Sequence, residues 1–187
     1  MFLIGEQINC TRKPIARAAK KQDSERIQRS ATRQTEAGAA CLDVNGGVAE
    51  FEEVYLSWLV DVIQDVTDVP LCLDSPDPKA LATALPRCQK RPMINSITNE
   101  KDRVDAILPL VIEYQTGIVA LCMDENGYPT SADDRVEMAS SLIDTLTSAD
   151  VPLDRIYIDP AVFPISTDVT TGQAVLQSIS EILHRYP

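Results

Sequence analysis

Short apolar runs alternate along the chain with longer amphipathic ones. The runs Phe2–Ile4, Cys41–Val44, Pro70–Leu73, Pro92–Ile94, Ile118–Cys122 and Arg155–Ile158 are brief, bounded by turn residues and apolar nearly throughout. That pattern predicts buried strands of a parallel sheet covered on both sides. Between them, apolar positions recur every three or four residues. Asp23 and Ser24 cap a helix predicted to end at Gly38. Val54, Trp58, Leu59, Val62, Ile63 and Val66 share one helical face. So do Val104, Ile107, Leu108, Val111 and Ile112, on a helix opened by Asn99 and closed near Gly117. Asp77 before Pro78 sets a capping acid ahead of a proline at the first helical position. Ser131 to Asp134 has the form of a capping box, with Asp in place of Glu, ahead of Val136, Ala139, Leu142, Ile143 and Leu146. A last helix carries Val175, Ile179, Ile182 and Leu183. Arg12 and Lys13 read as a solvated loop after the first strand, with an anionic ligand tail as the alternative contact.

The count is six β–α units in a single domain, 1–187. Right-handed crossovers between such units give either an open doubly wound sheet or a (β/α)8 barrel. Neither a G-x-G-x-x-G fingerprint nor a P-loop is present. Eight barrel units take about 250 residues, so six take roughly 190. The 187 residues therefore match three quarters of a barrel. The expectation is an α/β fold: a TIM-type (β/α) barrel truncated to about six units of eight. Strands one and six would then be open edges, an association hazard, so a homo-oligomer or some other cover for those edges is expected.

Composition narrows the chemistry. Seventeen Lys and Arg against 28 Asp and Glu leave a net charge of −11. That argues against a nucleic-acid or anionic-membrane surface, since both require a basic face. No apolar run approaches a membrane span, and the N-terminal apolar stretch breaks at Glu6, so a cytoplasmic soluble protein is expected. The five cysteines are widely spaced with no C-x-x-C pair, giving neither a disulfide framework nor a zinc signature. Cys10, Cys41, Cys72 and Cys122 fall in or near strands, as buried inert thiols. His184 is the single histidine, placed in a last helical turn where cations are favoured. No metal site and no histidine-based triad are expected. Carboxylates, amides, hydroxyls or thiols must do whatever chemistry occurs.

Those groups sit where the strands end. Glu6, Gln7 and Asn9 follow the first run, and Asp43, Asn45 and Gly46-Gly47 the second. Asp74-Ser75-Pro76, Asn95-Ser96, Asp124-Glu125-Asn126-Gly127 and Asp159-Pro160 follow the others. Each alone is ordinary turn chemistry. Six in succession, at ends that converge on one rim in parallel α/β folds, describe a binding site. A ring of carboxylates and amides with almost no basic residues suits a neutral heterocycle bearing N–H donors and carbonyl acceptors. A phosphorylated substrate would require Lys, Arg or a glycine-rich helix start.

These strings carry a resemblance. Gly5-Glu6-Gln7-Ile8-Asn9, Leu42-Asp43-Val44-Asn45-Gly46-Gly47, Leu73-Asp74-Ser75-Pro76, Met93-Ile94-Asn95-Ser96-Ile97, Leu121-Cys122-Met123-Asp124 and Tyr157-Ile158-Asp159-Pro160 resemble the pterin-binding methyltransferases. The nearest in pattern are the methyltetrahydrofolate–corrinoid protein methyltransferases, related to the folate domain of cobalamin-dependent methionine synthase. The resemblance implies methyl transfer between N5 of (methyl)tetrahydrofolate, a substrate, and the cobalt of a corrinoid carried by a partner protein. Asp74, Asn95 and Asp159 would hold the pterin, with Glu6, Asn45, Asp43, Ser96 and Met123 as further binding candidates. Asp159 and Asn95 are also the catalytic candidates. A tertiary amine is a poor leaving group, so N5 must gain a proton or hydrogen bond as the methyl departs. The attacking cobalt belongs to the partner, so the chain needs no nucleophile of its own. In this family a catalytic asparagine follows strand seven, and it has no counterpart among these residues. The alternatives are a dihydropteroate synthase-like enzyme, or a non-catalytic pterin-binding or assembly module.

Overall fold

The computed structural model describes residues 1–47, 52–164 and 169–187. It is an α/β fold with six parallel strands: β1 Ile4–Asn9, β2 Cys41–Asn45, β3 Leu71–Asp74, β4 Met93–Ile97, β5 Gly117–Leu121 and β6 Ile156–Asp159. The helices are α1 Lys13–Lys21, α2 Ser24–Glu36, α3 Glu52–Gln64, α4 Pro78–Ala84, α5 Lys101–Glu113, α6 Ala132–Ser148 and α7 Val169–Arg185. Two compact units emerge: Met1–Asn95 with Tyr114–Gly117, and Ser96–Glu113 with Ile118–Pro187.

In the first unit β1, β2, β3 and β4 pair in that order, and register divides their residues by face. Val44 lies beside Leu73 and Leu73 beside Ile94, while Leu42 lies beside Leu71. All five are fully buried, among a core that includes Ile27 and Ala31 of α2, Leu56, Leu59, Val60 and Ile63 of α3, and Leu81 of α4. The alternate positions belong to the other face. There Asp43 lies beside Cys72 and Cys72 beside Met93, and one pleat further on Asn45 lies beside Asp74 and Asp74 beside Asn95. Thus one face of a buried sheet is aliphatic, and the other is acid, amide and thiol.

The strand boundaries move toward the polar residues. β1 begins at Ile4 rather than Phe2 and runs through Glu6 and Gln7, because its ladder with β2 continues past a register shift between Gly5 and Ile8. Glu6 is therefore inside a strand and exposed, not beyond its end. Asn45, Asp74, Asn95 and Asp159 are themselves strand residues. Arg12 and Lys13 do not form a loop. Arg12 is the N-cap of α1, which has proline in its first turn and buries Ile15, Ala18 and Ala19.

Capping follows the sequence. Asp23 accepts Arg26 N, Asp77 accepts Lys79 N, and Ser131 with Asp134 completes a capping box. Hydrogen bonds from Thr130 and then Ser131 hold the Asp134 carboxyl down at about 2. The helix opened near Asn99 ends at Glu113, short of Gly117, and Ile112 on its apolar face is exposed.

In the second unit β5 and β6 pair from Ile118 beside Ile156 to Leu121 beside Asp159. Cys122, Val136, Ala139 and Ile182 form a buried cluster joining α6 and α7. Ile179 and Leu183 are exposed, so the apolar stripe of α7 is wider than the face it buries. Among the described residues no helix is long and apolar enough to cross a membrane.

Candidate functional site

Asn45, Asp74 and Asn95 form a row across the ends of three adjacent strands of the first unit. Side chains in such a row stand about 5 Å apart, within hydrogen-bonding reach. Asn45 Nδ2 donates to Asp74 Oδ2 at 2.7 Å. Asn95 Nδ2 donates to Asp43 Oδ2 at 3.1 Å, from its place one pleat above. Each carboxylate is thus matched to an amide on another strand. Asn45 is 8% exposed, and its Oδ1 is buried with no hydrogen-bond partner among the described residues.

The turn after β2 fixes this geometry. Gly47 has φ +60°, and a Cβ there would stand 2.8 Å from Asn45 Oδ1 and 2.9 Å from Cys10. A Cβ on Gly46 would stand 2.9 Å from the Glu52 carbonyl oxygen, where α3 begins. The glycine pair lets the chain leave β2 without displacing Asn45. Ser75 Oγ, just past β3, donates to Glu52 Oε1 at 2.5 Å, and both residues are buried. Nothing in the sequence marks Glu52, since an acid at the start of a helix is ordinary dipole chemistry.

Asp43 is 4% exposed. Burial pushes its carboxyl up to about 7; the Asn95 bond opposes that rise, and the Asp74 charge adds to it. The Cys72 thiol bonds to it, and Glu6 contributes a smaller repulsion. The unfolded chain releases this proton near pH 4, whereas the native chain holds it until about 7. The contribution to stability is therefore complete below pH 4 and is lost as pH rises to about 7. Between pH 5 and pH 8 the wild type is expected to lose on the order of 2–3 kcal/mol relative to Asp43→Asn. Urea unfolding of both proteins at the two pH values measures this. An unchanged gap between them would show that Asp43 titrates like an exposed carboxyl.

Of the remaining predicted residues, Glu6 belongs to the first unit but not to this row, and Ser96, Met123 and Asp159 belong to the second unit. Glu6 lines a concavity of about 1080 Å³ against α2, with Gln7, Arg12, Arg26, Arg29 and Arg33, which excludes Asp43, Asn45, Asp74 and Asn95. Arg12 Nη1 donates to Gln7 Oε1 there at 2.5 Å. In the second unit the Ser96 carbonyl oxygen accepts from Arg103 Nε at 2.9 Å. Met123 is half-buried just after β5. Asp159 ends β6, half-buried, and its Oδ1 accepts Ala161 N at 2.9 Å.

That same turn holds a residue sequence reasoning missed. Arg135 on α6 is 1% exposed. Its Nε donates to Pro160 O at 2.9 Å, Nη2 to Ala161 O at 3.4 Å, and Nη1 to Ser131 O at 2.9 Å. It clasps the segment that pins Asp159. An arginine in an amphipathic helix carries no mark of burial, so only the fold reveals it.

The cysteines behave as expected. Cys10, Cys41, Cys72 and Cys122 are buried, and desolvation lifts Cys10 to about 11 and Cys41 and Cys122 to about 12. Such thiols are poor nucleophiles. Among the described residues no group of three or more His, Cys, Asp or Glu side chains is placed to hold a metal ion.

Residues 5–186 match the pterin binding enzyme family. The methylcorrinoid:tetrahydrofolate methyltransferase of Eubacterium limosum is 34% identical over 188 residues, covering 97% of this chain and 69% of that protein. The methionine synthase of Mycobacterium leprae is 29% identical over 204 residues, covering all of this chain but 16% of that one. A dihydropteroate synthase from Xanthomonas albilineans, in complex with 7,8-dihydropteroate, superposes with a TM-score of 0.70 at 17% identity, over 98% of this chain and 67% of that chain. At that identity the likeness establishes the shared fold alone. The family match over nearly the whole length and the methyltransferase relative agree with the carboxylate–amide strand ends: the chain belongs to the pterin-binding enzymes, in the branch of the methyltetrahydrofolate–corrinoid protein methyltransferases.

Proposed function

We propose that this chain holds a folate pterin for methyl transfer between its N5 and the cobalt of a corrinoid protein. The observation that carries the reading is the row Asn45–Asp74–Asn95 with Asp43 beneath it: acids and amides, paired across strands, on one polar sheet face. A pterin edge has amino and ring N–H donors beside a carbonyl acceptor. Carboxylates accept the former, and an amide meets either. Asp74, Asn95 and Asp159 hold the ring in this reading. Asn95 and Asp159 are the groups of this chain assigned to orient it and to support the charge that develops at N5. The relatives' printed names, methylcorrinoid:tetrahydrofolate methyltransferase and methionine synthase, support the substrate classes. The same reading makes a corrinoid protein the partner; a homo-oligomer in the cytoplasm is proposed beside it, on the separate ground of the open strand edges expected from the sequence.

The test is a spectroscopic assay of free cob(I)alamin with methyltetrahydrofolate. The expected result is chain-dependent loss of the Co(I) absorbance and growth of a methylcobalt species. If the chain binds the folate and no methyl moves, it is a pterin-binding module. If it neither binds nor transfers, the proposed site is wrong.

A further inference from the structure

Asp43 stands apart from the row it supports. Strand register puts it level with Cys72 and Met93, one pleat deeper than Asn45, Asp74 and Asn95. It is nearly sealed from solvent, whereas Asp74 and Asn95 are half-buried. Its contact with the row is the hydrogen bond from Asn95 Nδ2. A carboxylate only accepts, so an ionised Asp43 demands the NH2 group of Asn95 and leaves the Asn95 carbonyl oxygen for another donor. A protonated Asp43 has an O–H of its own to give. It no longer distinguishes the two ends of the amide, because it can donate to the carbonyl as readily as it accepts from the NH2.

We propose that Asp43 is a positioning residue: its ionisation decides which end of the Asn95 amide faces the ligand and thereby ties folate affinity to pH. This rests on the pterin reading of the row and changes the part played by Asp43, from a group that touches the ligand to one that acts through Asn95. The groups acting on Asp43 are Asp74 and Cys72 on β3, Glu6 on β1 and Cys41 on its own strand. The two carboxylates oppose its ionisation. The Cys41 and Cys72 thiols are held neutral by burial and titrate far above the relevant range. Asp43 itself is poised to change charge near neutrality. A ligand N–H that donates to the Asn95 carbonyl oxygen favours ionised Asp43, so binding releases a proton, and affinity rises with pH.

Two measurements test this, one of them without ligand. In the free protein, the Asn95 side-chain amide signals in 15N–1H spectra, assigned by their loss in Asn95→Ser, are expected to shift with pH around 7 and to stay fixed in Asp43→Asn. By calorimetry, wild-type affinity for methyltetrahydrofolate is expected to rise at least fivefold from pH 6 to pH 8. Asp43→Asn, which keeps an acceptor for Asn95 but cannot ionise, is expected to bind within twofold across that range. Asp43→Ala, lacking the acceptor, should bind more than tenfold worse than Asp43→Asn at pH 8. Amide signals indifferent to pH, or a pH dependence that survives in Asp43→Asn, overturn the proposal. Signals that titrate as expected in a chain that takes up no folate at any pH sink the pterin reading and, with it, the claim of ligand control. The local Asp43–Asn95 coupling would remain.

Discussion

Replacing Asp74 by alanine is expected to weaken methyltetrahydrofolate binding by roughly 100-fold or more, enough to remove a saturable signal from calorimetry at ordinary concentrations. Asp74 closes β3 at the centre of the row, flanked in register by Asn45 and Asn95. One oxygen, Oδ2, is held by Asn45 Nδ2 at 2.7 Å. That bond fixes the plane of the carboxylate before any ligand arrives, so little orientational entropy remains to be lost on binding. Charge-assisted hydrogen bonds to ring and amino N–H groups contribute about 1.5–3 kcal/mol each, and two such bonds exceed the free energy of a 100-fold change. Truncation also strands Asn45 Nδ2, in a side chain whose Oδ1 already has no partner among the described residues. Asp74→Asn separates charge from shape: it keeps an acceptor but points an NH2 group at a ligand donor, and should bind worse than wild type yet better than alanine. Far-ultraviolet circular dichroism controls for folding. An alanine variant that binds within threefold of wild type places the pterin elsewhere.

The strand ends were legible because their chemistry conflicts with their surroundings. Asp43, Asn45, Asp74 and Asn95 interrupt apolar runs, and burying a carboxylate or amide inside a sheet is costly without a partner or a purpose. The helix caps at Asp23, Asp77 and Ser131 were legible because each satisfies a local, nearly context-free need of the backbone. Depth was not legible. Sequence alternation puts Asp43 and Asn45 on the same face, but only the register of three strands shows that Asn45 lies level with Asp74 and Asn95 and Asp43 one pleat beneath them. The first helix was missed because Arg12 makes no side-chain cap, although Pro14 and the spacing of Ile15, Ala18 and Ala19 carried the signal. The first strand shifted toward its polar end because pairing with β2, not side-chain hydrophobicity, sets its limits. Buried polar groups whose partners are remote in sequence leave no trace in a linear pattern. Glu52 with Ser75 is one case, and Arg135 is the other.

Arg135→Leu is expected to destabilise the protein by about 3 kcal/mol, lowering its melting temperature by roughly 6–12 °C for a chain of this size. The guanidinium is 1% exposed and serves the carbonyls of Ser131, Pro160 and Ala161. Leucine fills part of the volume but donates nothing. The carbonyls of Pro160 and Ala161 would then be left in a setting where each unpaired acceptor costs about 1–3 kcal/mol. The backbone there has little freedom to compensate, since Ala161 has φ +57°, a left-handed conformation that alanine seldom adopts without external support. The effect should extend to Asp159, which the proposed function assigns to the pterin. Ala161 N is the donor that pins Asp159 Oδ1, so a relaxed segment lets that carboxylate turn. Folate affinity should therefore fall even at temperatures where the variant is fully folded. Arg135→Lys discriminates charge from geometry: a single ammonium cannot serve three carbonyls spread across α6 and the β6 exit, so it should recover only part of the lost stability. Thermal unfolding of the three proteins, with calorimetry of the folded ones, measures both effects. A leucine variant that melts within 2 °C of wild type would mean that water or main-chain rearrangement satisfies those carbonyls. The arginine would then be a passenger rather than the clasp that holds Asp159 in place.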